Sequence, residues 1–372
     1  MKKTDKFVAL GLMSGTSADG LDIALIKTDG KNKIILGPSN YYPFTKEFIK
    51  KIKRLFTKRI KKNSMKQKNF INIEQEFTKL NINLINQFLK KNKIKKKDID
   101  VIGFHGQTIC HNPRQGYSIQ IGNAQTLANS LKIKVISNFR LNDIKNGGQG
   151  APLTPIFHYY LTSKLKKKIC FINLGGITNI TYCDHTNRYG IKNLLAFDVG
   201  PCCSLLDDWI SLRSQNKFDK FGNLAKKGSI NKNILDLYLK NNFFLKKPPK
   251  SLDRSFFSIT NIRKLSINDG AATLTQLIIK SIRDSLEFLP LKPELFILSG
   301  GGRLNKYLVN KLNNQLNSEI KLSDDIKWNG DAIEAYAFGF LAVRRLKNLP
   351  ISFPQTTGVN KSVLGGDISN SY

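Results

Sequence analysis

Residues 7–26, FVALGLMSGTSADGLDIALI, gather the side chains of this chain best suited to chemistry. An apolar run from Phe7 to Leu12 gives way to Ser14-Gly15-Thr16-Ser17-Ala18-Asp19-Gly20, after which Leu21-Asp22-Ile23-Ala24-Leu25-Ile26 resumes the apolar alternation. The pattern predicts a strand, a tight polar turn and a second strand. Gly15 and Gly20 let the backbone fold closely around a ligand, while hydroxyl and carboxylate side chains line the bend. Such a tip offers N–H and O–H donors to the phosphates of a nucleoside triphosphate. Taken alone, Gly-Thr-Ser reads more simply as an ordinary hairpin loop.

The same grammar returns later in the chain. Residues 169–172 are apolar and lead into Asn173-Leu174-Gly175-Gly176-Ile177-Thr178-Asn179, followed by apolar Ile180-Thr181-Tyr182. Other short apolar runs end in polar or glycine clusters. His105-Gly106-Gln107-Thr108 follows residues 101–104, Asn138-Phe139-Arg140 follows 135–137, Asp198-Val199-Gly200-Pro201 follows 194–197, and Ser299-Gly300-Gly301-Gly302 follows 295–298. Helical spacing is expected over residues 71–91, 271–289 and 331–346. Strands alternating with helices predict an α/β fold rich in parallel pairing, with function at strand ends. Two phosphate-type hairpins imply two similar lobes around a central cleft: residues 1–165, and residues 166–372 with a tail that returns to the first lobe. Neither a GxxxxGK[ST] loop nor GxGxxG occurs, which excludes the P-loop and dinucleotide-fold readings.

The formal charge of +33 comes from 60 Lys and Arg against 27 Asp and Glu. Lysines cluster at 46–68 and 90–97, on segments whose apolar residues (Ile49, Ile52, Phe56 and Ile60, then Ile73, Phe77, Leu80, Leu84 and Phe88) recur at helical intervals. The lysines therefore read as solvated faces of amphipathic helices. Without interleaved aromatics or zinc-finger spacing, no nucleic-acid partner is expected. Five scattered cysteines (Cys110, Cys170, Cys183, Cys202, Cys203), with no CxxC pair, point to a reducing compartment and no disulfide framework. Cys110-His111 resembles a metal pair but has no partners at ligand spacing. No run approaches the ~20 apolar residues of a membrane span, so the expected location is the cytoplasm.

The motifs together resemble the actin, hexokinase and heat-shock-ATPase superfamily (ribonuclease H-like lobes), and within it the anhydro-N-acetylmuramic acid kinase family. The resemblance rests on GLMSGTSADGLD (11–22), GFHGQT (103–108), QIGNAQTLA (120–128), NFRLNDIKNGGQGAPL (138–153), INLGGITNIT (172–181) and FDVGPCCSLLDDW (197–209). KPPKS (247–251), LSGGG (298–302), DAIEAYAFGFLA (331–342) and TTG (356–358) follow in family order, so it spans nearly the whole chain. It implies a kinase that uses ATP, Mg²⁺ and water to open 1,6-anhydro-N-acetylmuramic acid and phosphorylate it to N-acetylmuramic acid 6-phosphate, in cell-wall recycling. It also implies a homodimer. A related amino-sugar kinase without ring opening, and a non-catalytic sugar- or nucleotide-binding homologue, are the alternatives. One departure stands out: Cys202-Cys203 follows Gly200-Pro201 where the family usually shows a small residue and then asparagine.

The resemblance also distributes roles. ATP binding falls on Gly15, Thr16, Ser17, Ala18, Asp19, Gly20, Leu21 and Asp22; read from the residues themselves, the phosphate turn Gly175, Gly176 and Asn179 and the loop Gly300, Gly301 and Gly302 complete the nucleotide set. Asp19 is the expected approach for Mg²⁺ through water, no metal ligand being firmly assigned, and Asp22 divides evenly between that role and an outward-facing strand position. Asp198 is the implied general base, against the alternative of capping the next helix. Ser14, His105, Gln107, Arg140, Asp143 and Glu334 are expected at the sugar. Arg140 suits the lactyl carboxylate, or forms a structural ion pair with Asp143. His105 is given no proton chemistry.

Overall fold

In the computed structural model, which describes residues 6–15, 17–56, 67–186, 190–254 and 256–372, the first strand Phe7–Ser14 (β1) turns back into Gly20–Thr28 (β2). Ile34–Pro43 (β3) extends this antiparallel meander. Val101–Asn112 (β4) then lies parallel to β1 on its free side, carrying Tyr117–Ile121 (β5) at its far end, and Val135–Ser137 (β6) lies parallel to β4. A last strand, Asp367–Ser369, closes the sheet antiparallel to β6.

A second sheet repeats the plan. Lys168–Leu174 (β7), Ile177–Asp184 (β8) and Leu195–Pro201 (β9) form the meander, and Leu295–Ser299 (β10) and Glu319–Leu322 (β11) add in parallel on the β7 side. Leaving aside β5 and the closing strand, the first sheet runs β3-β2-β1-β4-β6 and the second β9-β8-β7-β10-β11, each with only its second strand reversed, the ribonuclease H-like arrangement.

The chain divides into two compact units, residues 1–161 with 332–372, and residues 162–331. The sequence reading placed 332–372 in the later lobe, with only the tail returning. What holds the helix Ile333–Leu346 to the first unit is glycine. Gly11 and Gly103 are register partners on β1 and β4, and a Cβ on either would overlap the backbone of that helix, at Ala335 and Gly339 or at Phe338. The helix backbone therefore rests directly on the sheet. On the other face, the helix Lys68–Lys91 buries Phe70, Ile73, Phe77, Leu84, Ile85 and Phe88, with Phe77 stacked against Phe104 of β4 at 6.3 Å. Fully burying a side chain of this size contributes about 1.5–3 kcal/mol.

The lysines fall where the helical spacing puts them. Lys46, Lys50 and Lys53 are exposed opposite buried Phe48, Ile52 and Leu55, and Lys90, Lys91, Lys93 and Lys95–Lys97 are exposed. Ile60 and the lysines of 57–66 lie outside the described residues. Among the described residues no helix is long and apolar enough to cross a membrane, and the five cysteines are free thiols.

Three local expectations differ from the structure. β4 does not end at residue 104 but runs through His105–Thr108, because Gly106 at φ +72° kinks the strand and β5 supplies new partners. β9 likewise includes Asp198 to Pro201. The helix expected from residue 271 begins at Ile267, capped by the Ser266 hydroxyl, which accepts from Asp269 N–H at 3.1 Å.

Candidate active site

In the first unit, β1 ends at Ser14 and β2 begins at Gly20, with Gly15 and Ser17–Asp19 between them among the described residues. Ala18 adopts φ +54°, fully buried, and donates its N–H to the Gly15 carbonyl at 3.1 Å, which tightens the bend. Ser17 and Asp19 are exposed at the tip, the hydroxyl donating to the carboxylate at 2.8 Å. Beneath them, Ser14 Oγ lies 2.8 Å from the Gly20 carbonyl and 2.7 Å from Gln107 Oε1, and Gln107 Nε2 donates to the Gly15 carbonyl at 3.0 Å. Ser14 and Gln107 are buried, so both brace the turn from below. Leu21 is buried in the core and Thr16 lies outside the described residues.

Asp22 sits in register with Tyr41 on β3. Burial, then the charges of Asp19 and Asp22, push the Tyr41 phenol up to about 12. The negative field of the two carboxylates thus converges beside the turn. Their oxygens and the Ser17 hydroxyl are of the kind that fits Mg²⁺, an ion that takes one or two carboxylates plus phosphate and keeps several waters. No group of three or more His, Cys, Asp or Glu gathers as a metal cage among the described residues.

A second cluster starts on β4, the strand that also carries Gln107. The His105 ring meets the Gly106 carbonyl through Nδ1 at 2.8 Å, so Nδ1 carries the proton and Nε2 accepts from Arg140 Nη2 at 2.9 Å. Arg140 Nη1 donates to the Gly150 carbonyl at 2.8 Å, while Gly150 N–H donates to Asp143 at 2.7 Å. Arg140 and Asp143 therefore hold the same glycine from its two ends. The other Asp143 oxygen accepts the Thr357 hydroxyl at 2.5 Å, which ties the 147–150 loop to the C-terminal segment. Glu334, at the start of the helix Ile333–Leu346, has its carboxyl raised by burial, with the Arg140 cation pulling it back. His105, Arg140 and Glu334 thus form one neighbourhood, next to Gln107 and the turn.

Two histidines of this unit are buried and neutral. Burial, then the Arg140 charge, holds His105 well below its usual range, and burial lowers His158 to about 3. Below about pH 6.5 the unfolded chain binds protons at both positions that the folded chain does not. Stability is therefore complete above that pH and falls as pH drops toward the folded values, by up to about 1.4 kcal/mol per pH unit for each histidine. Urea titrations between pH 6.5 and 5 should show this slope, and His158→Gln should lessen it. A flat profile would mean that these histidines are not protected from protonation.

In the second unit, Asn173, Asn179 and Asp198 stand in register across β7, β8 and β9, so their side chains share one face. The Gly175-Gly176 turn beside them is fixed by the next helix. Its carbonyls accept from Cys203 N–H at 3.0 Å and Cys202 N–H at 3.1 Å, and the Ser204 hydroxyl adds a bond to Gly176 at 2.7 Å. Of the pair at the family departure, Cys202 is buried, and its Sγ lies 3.8 Å from that of Cys203, which stands at the asparagine position. Half-buried Asp198 accepts Leu252 N–H at 2.7 Å through Oδ2, and its own N–H donates to the Lys250 carbonyl at 2.9 Å.

The loop after β10 packs on the same turn. Gly300, at φ +76°, leaves no room for a Cβ against Asn173 and Leu174, whereas a Cβ at Gly301 would meet nothing within 4 Å. The loop thus presents bare backbone to open space, which fits the close approach of a nucleotide. Buried Arg303 fixes it, donating to the Gly300 carbonyl at 3.0 Å, to Asp324 at 2.5 Å and to Asp331 at 2.6 Å. Burial works against this guanidinium, but the two carboxylates prevail and raise its pKa. Arg303, Lys250, Asn173 and Thr357 were not singled out from sequence. Asn173 sits at the mouth of a glycine turn, and Lys250 and Thr357 lie in the KPPKS and TTG motifs, but none of these gives the residue a role.

Comparison with known proteins places the chain among its relatives. A relative from Zymomonas mobilis, named anhydro-N-acetylmuramic acid kinase, is 41% identical over 367 residues, covering 97% of this chain and 99% of its own. One of the same name from Rhodopseudomonas palustris is 38% identical with the same coverage. Among solved structures, component A of Acidaminococcus fermentans (R)-2-hydroxyglutaryl-CoA dehydratase superposes with TM-score 0.46 at 11% identity, covering 92% and 99%, too distant a likeness to bear on function. The profile of one family, described as anhydro-N-acetylmuramic acid kinase, matches residues 7–371, and the chain belongs to that family.

Proposed function

We propose that this protein phosphorylates 1,6-anhydro-N-acetylmuramic acid with ATP, opening the anhydro bridge with water and releasing N-acetylmuramic acid 6-phosphate and ADP. Family membership over residues 7–371 supports the substrate. The observation that carries the chemistry is Asp198, whose carboxylate is held in one orientation by Leu252 N–H at 2.7 Å. It takes a proton from the water that attacks C1, the C1–O6 bond breaks, and O6 receives the γ-phosphoryl group. Bound Mg-ATP supplies the phosphoryl group and the neutralisation of its charge. Gly15–Asp22 is the ATP segment, Gly175, Gly176 and Asn179 form a second phosphate-binding turn, and Asp19 and Asp22 would hold Mg²⁺ through water. Gly300–Gly302 receives the nucleoside. Arg140, fixed through His105 and Gly150, binds the lactyl carboxylate, and Glu334 a sugar hydroxyl. Ser14, Gln107 and Asp143 serve through the loops that they hold. We assign the protein to the cytoplasm, where free thiols persist, and to a homodimer, with no membrane or nucleic-acid partner.

Incubation with Mg-ATP and the anhydro sugar in ¹⁸O-water, followed by mass spectrometry, tests this reading. The expected product is a phosphorylated sugar carrying one heavy oxygen at C1. Phosphorylation with the bridge intact would assign a different kinase chemistry. Absence of product from folded, ATP-binding protein would assign another substrate or a lapsed enzyme.

A further inference from the structure

Lys250 is 2% exposed, an unusual place for an ammonium, since burying a charge is costly unless it is well partnered. Its Nζ donates to the carbonyls of Phe243 and Phe244 at 3.1 and 3.2 Å, and it lies 4.7, 4.8 and 5.8 Å from the ring centres of Phe288, Phe243 and Phe197. Three aromatic faces and two carbonyls replace its water. The backbone that carries this side chain has a different task. The Lys250 carbonyl takes the Asp198 N–H, and two residues on, Leu252 N–H grips the Asp198 carboxylate. Phe197, which points to the opposite face of β9 from Asp198, is part of the cage. The ammonium thus fastens, from behind the strand, the segment that clasps the aspartate from the front.

We propose that Lys250 is a positioning residue for Asp198: its buried ammonium anchors residues 250–252 so that their backbone sets the aspartate's orientation. This rests on the general-base reading of Asp198. A methionine of similar length would fill the cage equally well but make no bonds to the two carbonyls, so what the lysine adds is fixation. Charge matters as well. Burial, then the neighbouring Lys246, lower Lys250 to about 8, and Asp198 counters them. On the elements around it the charged groups are Asp198 on β9, Lys246 after the helix Asn242–Leu245, and exposed Glu287 on the turn that carries Phe288. Loss of the proton above about pH 8 removes the charge from the cage and leaves at most weak donors to the carbonyls, which loosens the clasp.

The test compares full-length wild type, Lys250→Met and Lys250→Arg by steady-state kinetics from pH 6 to 10 and by hydrogen exchange of the segments containing residues 198 and 252. Lys250→Met should lower kcat about 10–100-fold with KM for both substrates little changed, because a misaligned base costs turnover more than binding. Exchange at 198 and 252 should quicken. Wild-type kcat should fall as pH rises past about 8, a limb that moves upward in Lys250→Arg and is missing in Lys250→Met. Wild-type kcat and exchange in Lys250→Met, or one alkaline limb shared by all three proteins, would overturn the proposal. Should Lys250→Met not fold, the limb in wild type and Lys250→Arg decides, an unmoved limb overturning it. A wild type that makes no product from the anhydro sugar would refute the proposed function, and hydrogen exchange would still decide the role of Lys250.

Discussion

Replacing Asp198 with asparagine is expected to lower kcat about 10²–10⁴-fold, the range that a positioned general base contributes. The substitution is close to isosteric, and its effect on the fold should be small. The amide oxygen can take the place of Oδ2 and accept Leu252 N–H, and the backbone bond to Lys250 does not involve the side chain. What disappears is the capacity to take a proton from water. Because that proton moves only on the way to the transition state, KM for ATP and for the sugar should change little, and kcat and kcat/KM should fall together. Initial rates of ADP release with saturating anhydro sugar, with product formation followed in parallel, measure this directly. A folded Asp198→Asn protein that turns over within a few-fold of wild type would remove Asp198 from the mechanism. A large rise in KM with kcat unchanged would make it a binding residue.

The sequence marks some parts of this arrangement plainly and others not at all. The two glycine hairpins and the alternation of strands and helices are local patterns, written within about ten residues each, and they recover the strand-turn-strand repeat of the two units. The extent of β4 and β9 is less local. His105–Thr108 and Asp198–Pro201 look like strand-end loops because they are polar and glycine-rich, yet partners on β5 and β8 keep them in the sheet. The contacts that stiffen the site are more distant still. Thr357 reaches Asp143 across 214 positions, and Arg303 joins carboxylates 21 and 28 positions away. No periodicity records such pairs. Lys250 is the extreme case: it lies in the KPPKS motif (247–251), but nothing local gives it a place, and only its aromatic surroundings show that it is buried.

Gly11→Ala is expected to destabilise the first unit by about 3 kcal/mol or more, at or beyond the upper end of ordinary overpacking. The added methyl would overlap the Ala335 carbonyl and the Gly339 nitrogen, and these are backbone atoms of a helix that no rotamer change can move aside. Gly103→Ala should act in the same way through the Phe338 carbonyl, one strand over. To accommodate either, the helix Ile333–Leu346 must lift from β1 and β4 and expose part of its almost continuous buried stretch. Against a typical domain stability of about 5–15 kcal/mol, that is a large fraction. Gly116→Ala supplies the contrast: it has φ +77° but nothing within 4 Å of a new Cβ, so only backbone strain of about 1–2 kcal/mol applies. Urea midpoints of the three variants should therefore rank with Gly116→Ala nearest to wild type. Because Glu334 rides on the same helix, next to Arg140, Gly11→Ala protein that still folds should also bind the sugar more weakly. If Gly11→Ala and Gly116→Ala proved equally stable, the helix would not rest on the sheet through its backbone, and its assignment to the first unit would lose its main physical support.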